Sequence, residues 1–226
     1  MKNIFLLLIS LILITILGCT NDTPTTQETL FGELYIRYVE ENRTLKAEGN
    51  FLVGDSLATA RGIKLGQGLN FNNSGMDFRN VTPKLQRYSY TTKSDFPENC
   101  TFKINDPIHE ATFESSLTPL VSYGPEAPFS KTEGGNIILF DKPIDQHGEY
   151  VAIMSDKNNV ATTLRIKGPT KGNILPVPAA VLKSLAVGDG EMFLVKKKLK
   201  TIQENHMNVN FLIEFYSKRV DIKIVK

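Results

Sequence analysis

The strongest constraint on this chain is a hydrophobic period of two. Leu34, Ile36 and Tyr38 alternate with Glu33, Tyr35 and Arg37. After Glu40-Glu41-Asn42-Arg43, Leu45, Ala47, Gly49, Phe51 and Val53 alternate with Lys46, Glu48, Asn50 and Leu52. Side chains of a strand point to opposite faces in turn, so this pattern predicts half-buried strands, and the four polar residues between them predict a hairpin turn. The same style recurs over Ser56–Arg61, Gly68–Phe71, Leu85–Thr92, Cys100–Ile104 and Ala111–Glu114. It returns in Asn136–Phe140, Glu149–Ser155, Val160–Lys167, Glu191–Leu199, Val209–Ser217 and Val220–Val225. Turn signals such as Asn73-Ser74-Gly75 and Asn105-Asp106-Pro107 separate them.

One short helix is expected after Pro178, whose missing N–H is tolerated in a first turn. Val181, Leu182 and Leu185 would share its buried face and Gly188 would end it. Many short strands with frequent turns indicate an all-β protein of sandwich or barrel type. The Pro- and Gly-containing stretch 119–128 is the expected linker. It would divide a β-sandwich over 30–118 from a second over 129–226, both immunoglobulin- or fibronectin-like, with the helix in the second; one larger β domain is the alternative.

The N-terminus reads differently. Lys2 precedes an apolar run from Ile4 to Leu17, broken by Ser10 and Thr15. The run is shorter than the roughly 20 residues a spanning helix needs, and has the layout of a cleavable export signal over 1–18. Ile16-Leu17-Gly18-Cys19 resembles the lipobox of bacterial lipoproteins. That resemblance implies lipidation of Cys19 after cleavage, and Thr20, standing where many inner-membrane lipoproteins carry Asp, implies the outer membrane, on its periplasmic face or at the cell surface. Residues 19–29 hold a polar, Thr-rich tether that has too little to bury to order itself.

Over the mature chain, Glu41-Asn42-Arg43-Thr44-Leu45-Lys46-Ala47-Glu48, Ser74-Gly75-Met76, Gly168-Pro169-Thr170 and Ile174-Leu175-Pro176-Val177-Pro178 resemble exported Bacteroidota-type lipoproteins with tandem β-sandwich domains. The resemblance carries no activity with it.

Without the signal, 25 basic side chains face 24 acidic ones. A near-neutral balance gives no electrostatic case for nucleic acid. With Cys19 committed to lipid, Cys100 has no intramolecular partner. Phe102 and Ile104 share its face, so it is expected to be a buried thiol rather than a reactive one.

Motifs for chemistry are sparse. The chain has no Gly-x-Ser-x-Gly, and Phe71 stands where a dinucleotide turn begun by Gly66-Gln67-Gly68 needs its third glycine. His109-Glu110 opens like a zincin motif, but Phe113 occupies the place of the second histidine. The densest polar cluster is Asp141, Asp145, His147 and Glu149, with Asp156 and Asn158 in the next hairpin. Asp141, Asp145, Glu149 and Asp156 are the candidate oxygen ligands for a Ca²⁺-like ion, with ordinary turn residues as the competing reading.

Tyr88 and Tyr90, two apart, are candidate ligand aromatics, although cross-strand packing explains such a pair more simply. Asp55-Ser56-Leu57 resembles the O-glycan acceptor of exported Bacteroidota-type proteins, at Ser56. Lys196-Lys197-Lys198 and Lys200 read as a solvated or edge strand blunted by lysines, with a basic contact strip as the alternative.

Together these features lead to the expectation of a membrane-anchored, non-enzymatic binding or assembly lipoprotein, with a glycan or an outer-membrane protein as partner and no cofactor. An extracytoplasmic hydrolase using dispersed residues such as Asp141, Asp145 or Glu149 is the rival expectation.

Overall fold

The computed structural model describes residues 28–226, apart from 83–84, 107–108, 141–142, 145–147 and 205. In chain order the strands are β1 (Thr29–Val39), β2 (Thr44–Gly54), β3 (Arg61–Gly62), β4 (Leu69–Phe71), β5 (Ser74–Gly75), β6 (Asp77–Thr82), β7 (Leu85–Lys93), β8 (Cys100–Ile104) and β9 (Ala111–Ser115). They continue as β10 (Tyr123–Pro125), β11 (Phe129–Ser130), β12 (Gly135–Leu139), β13 (Glu149–Asp156), β14 (Ala161–Lys167) and β15 (Ile174–Val177). Helix α1 (Ala179–Leu182) precedes β16 (Gly188–Glu204), β17 (Met207–Tyr216) and β18 (Val220–Val225). The protein is predominantly β, as its alternation requires.

β1 and β2 form the expected hairpin, pairing from Val39 and Thr44 at the turn to Thr29 and Gly54 at the far end. The turn is a single 3-10 turn over Glu40–Asn42, closed by Arg43 at φ 55°. The Asn42 carboxamide accepts the Thr44 N–H at 3.1 Å, which helps hold a non-glycine residue in that left-handed conformation.

The other edge of β1 pairs with β17, in parallel: Leu34 lies beside Phe211, Ile36 beside Ile213 and Tyr38 beside Phe215. These residues are all buried, so the register joins two apolar rows into one core face. The resulting 11-stranded sheet runs β11-β18-β16-β17-β1-β2-β7-β6, with β13 and then β14 branching from β16, and β3 from β2.

Two small sheets complete the core. In the four-stranded sheet β5-β4-β8-β9, Phe102 meets Phe211 of the large sheet edge-on, with ring centroids 5.2 Å apart. In the sheet β10-β12-β15, the Tyr123 hydroxyl donates to the Lys218 carbonyl at 2.6 Å. Buried apolar residues from all three sheets join in one cluster.

This topology corrects the expected division at 119–128. Strands from before and after that stretch share the largest sheet, and the stretch itself carries β10 with a buried Tyr123. Each half alone would leave the apolar edge rows of β1 and β17 unpaired.

Three local expectations also change. Ser56–Ala60 is a turn, not a strand, tied by the Ala60 N–H to the Ser56 carbonyl. The helix is one turn long, with Pro178 just before it and Leu182 buried. Gly188 opens β16 instead of ending the helix.

Candidate binding site

Alternation leaves the face of the large sheet opposite its core to Tyr35, Arg37 and Val39 of β1, Leu212, Glu214 and Tyr216 of β17, and Phe193, Val195, Lys197 and Leu199 of β16. Among the described residues no second layer covers this face: Arg37 and Leu199 are exposed and Tyr35, Phe193 and Tyr216 are partly so.

At its centre is a carboxylate. Glu214 is only 6% exposed. It accepts hydrogen bonds from the Tyr35 hydroxyl at 2.7 Å and the Tyr216 hydroxyl at 2.9 Å, and an ion pair from Lys197 at 2.5 Å. The register explains the convergence, because Glu214 lies directly across from Lys197 on one side and Arg37 on the other. Burial pulls its pKa up, but the Lys197, Tyr35 and Tyr216 hydrogen bonds together outweigh burial and hold the carboxyl below its ordinary range. Burial, then the bond to Glu214, pushes the Tyr35 phenol well above its usual value, so it stays a donor.

This network fixes the Tyr216 ring, and the Arg37 guanidinium stacks over it, 4.4 Å from the ring centroid. Arg37 has no ion pair among the described residues.

A cavity of about 260 Å³ opens beside the stacked pair. Its position follows from a handover in the sheet. β17 and β18 occupy successive lengths of the same edge of β16, at Val195–Glu204 and Gly188–Met192. Residues 217–219 bridge the gap, and Ser217 fills it by exchanging hydrogen bonds with Leu194 through its hydroxyl and its own N–H. Phe193 and Tyr216 form one wall, with ring centroids 6.3 Å apart and planes inclined by 32°. Arg37, Arg219, Glu41 and Asn42 supply polar groups around the rim. Arg219 also pairs with Glu191 at 2.8 Å. The site therefore combines a flat aromatic wall with donors and an acceptor, a chemistry suited to holding a ligand.

The residues singled out from sequence lie elsewhere. Asp141, Asp145 and Cys19 fall outside the described residues. Glu149 sits on the open face with Arg165 at 3.1 Å, while Asp156, seven positions on, points to the core side. The Asp156 carboxylate is occupied by three backbone N–H groups, from Ala186 at 2.6 Å, Asn158 at 2.8 Å and Val160 at 3.0 Å. The Ala186 bond contributes most to holding its pKa below the ordinary range. Glu149 and Asp156 thus do not converge on one ion, and Asp156 organises a turn. No group of three or more His, Cys, Asp or Glu suited to a metal is present among the described residues.

Tyr88 and Tyr90 do share a face, but it is the core face. Tyr88 is 1% exposed and its hydroxyl accepts the Leu65 N–H at 2.7 Å. Tyr90 packs on Phe71 with centroids 5.8 Å apart. As ligand aromatics they give way to Phe193 and Tyr216. Ser56 is exposed, its hydroxyl bonded to that of Thr59 at 3.0 Å.

The lysine run lies where β16 passes from two partners to one: Lys196 and Lys197 sit between β13 and β17, whereas Lys198 and Lys200 lie past the end of β13 and pair only with β17 among the described strands, so the edge expectation holds for the second part of the run alone. Its charges are engaged on both faces: on the core side Lys198 donates to the Ser116 carbonyl at 2.7 Å and Lys200 to that of Glu114 at 3.0 Å, and on the open face Lys197 pairs with Glu214. Cys100 is fully buried, as expected, and burial pushes its thiol up to about 12.

Sequence reasoning passed over Glu214, Arg37, Phe193, Tyr216 and Arg219. A signal was available for Arg37, Glu214 and Lys197, which all occupy the outward phase of their strands. The signal for their meeting was not, because it needs the β1–β17 pairing. The chain matches no protein-family model, and no curated protein matches it.

Proposed function

We propose that this protein is an exported lipoprotein, anchored to the outer membrane through Cys19, that binds a ligand on the open face of its large sheet without transforming it. The observation that carries the reading is the preorganised cluster around Glu214: a buried carboxylate holds Tyr216 and, through it, Arg37 beside an open cavity. Keeping a carboxylate almost wholly out of water on a face that no other layer covers among the described residues is costly. A site rigid before binding loses less entropy when it binds, and that repays the arrangement. The membrane part of the reading rests on the lipobox resemblance and the polar tether. Of the carboxylates named for a hydrolase only Glu149 is among the described residues, and its pairing with Arg165 at 3.1 Å leaves that reading without support from it.

The test places a photo-crosslinking residue at Leu199 on the open face, and separately at exposed Val121, in the full chain in its own cells. The expected result is membrane-bound protein with an adduct from position 199 that the Arg37→Gln, Phe193→Ala pair abolishes, and none from 121. Equal adducts from both positions, or adducts indifferent to that pair, would contradict it. So would membrane retention of a Cys19→Ala chain.

A further inference from the structure

We infer that the cavity beside Tyr216 takes a pyranose ring carrying a carboxylate, that is, a uronic-acid unit of an acidic glycan. This rests on the binding reading above and names its ligand.

Size comes first. About 260 Å³ lies just below the roughly 300–1,000 Å³ of pockets for drug-sized molecules, and suits one sugar ring or a chain terminus. Shape comes next. Phe193 and Tyr216 offer adjoining flat faces inclined by 32°, and the apolar C–H face of a pyranose lies well on such a surface.

The rim decides the polar chemistry. Arg37, Arg219 and Asn42 donate, whereas Glu41 accepts, its carboxylate lying 3.4 Å from the Arg219 backbone N–H. A ligand with acceptors alone would meet repulsion at Glu41. One with several hydroxyls uses both kinds of group.

The carboxylate preference comes from Arg37. Its guanidinium lies over the Tyr216 ring, holds no ion pair among the described residues, and presents donors in the planar fork that matches a carboxylate. Arg219 differs, being already paired with Glu191. The cations nearest Arg37 on this face are spent: Lys197 on Glu214, and Lys46, its register partner on β2, on Glu48 at 2.8 Å. Arg37 is thus the cation in position to select an acid, and Phe193 and Tyr216 the surface that selects a ring.

The probes are galacturonate against galactose and glucuronate against glucose, each pair differing at the sixth carbon. Saturation-transfer NMR on the full chain in detergent reads them. Both uronates are expected to receive saturation through their ring protons and to bind about tenfold more tightly than their neutral twins. Phe193→Ala should weaken all four by about tenfold, and Arg37→Gln should erase the preference for acids, the uronates losing about tenfold more than their neutral twins. Both side chains are at the surface, and circular dichroism checks that the variants fold. Neutral sugars binding as tightly as the acids, dependent on Phe193, would overturn the uronate assignment while leaving a binding site. Saturation unaffected by both variants, or none from any sugar, would overturn the assignment at this cavity, and the crosslinking experiment would then decide the binding reading by itself.

Discussion

Glu214 shows how one residue couples stability to the site. Its carboxylate is kept charged by three donors, so removing it strands Lys197 and two phenols at once. Breaking a fully buried pair costs about 3–5 kcal/mol. Lys197 keeps a quarter of its side chain in water and can turn outward, so Glu214→Ala should cost less, about 1–3 kcal/mol by urea unfolding. The pH dependence follows from sign. The folded carboxyl titrates below its unfolded value of about 4.3, so the unfolded chain binds protons first on acidification. The stabilisation is complete above that value and is lost as pH falls through the folded one. Urea midpoints should therefore drop below about pH 4, more steeply in the native chain than in Glu214→Gln, where Asp156 remains as a source of the slope. Equal slopes in the two proteins would show that Glu214 is not held in this way. Cys100 makes a simpler test. A thiol raised to about 12 and fully buried should resist a thiol reagent until urea unfolds the chain, and labelling at the native rate of a free thiol would place it wrongly.

At the scale of elements, much was legible. Cys100–Ile104 and Val220–Val225 stand where alternation puts them, because each strand has one wet side and one dry side. The exact faces of Lys197 and Leu199 against Lys196 and Lys198 were legible for the same reason. Ser56–Ala60 was misread because its small and polar residues close a turn on Ser56, which periodicity does not register. The fate of β16 was hidden as well. Its lysines suggested an edge, yet up to Lys197 it lies between β13 on one side and β17 and β18 on the other; only from Lys198, past the end of β13, does it pair on one side alone among the described strands, and there the lysine stems reach carbonyls of the 114–116 segment. Gly190 reports on that crowding. A Cβ there would lie 2.3 Å from the Ser155 carbonyl oxygen of β13, a backbone atom that cannot swing aside. Gly190→Ala should therefore destabilise by about 1–3 kcal/mol and open the β13 edge first, seen as faster amide exchange over Val151–Ser155. Unchanged exchange there would mean that β13 does not dock on β16 at this register.

Across the whole molecule, the candidate site exists because β1 and β17 pair. Arg37 and Glu214 are register partners although 177 positions separate them, and no local pattern announces a pairing of that kind. The same pairing is why a break at 119–128 looked plausible in sequence: that stretch has the composition of a linker, while the contacts that bind its two sides are far from it. Residues 28–118 alone would expose the β17-facing edge of β1, and residues 129–226 alone would expose the β1-facing edge of β17 and leave Tyr216 without Arg37. The most direct measurement is urea unfolding of the full chain beside each of those two segments. The β1–β17 pairing predicts one cooperative transition for the full chain and no cooperative transition for either segment by itself. Two segments that each unfold cooperatively, with transitions that sum to that of the full chain, would contradict it.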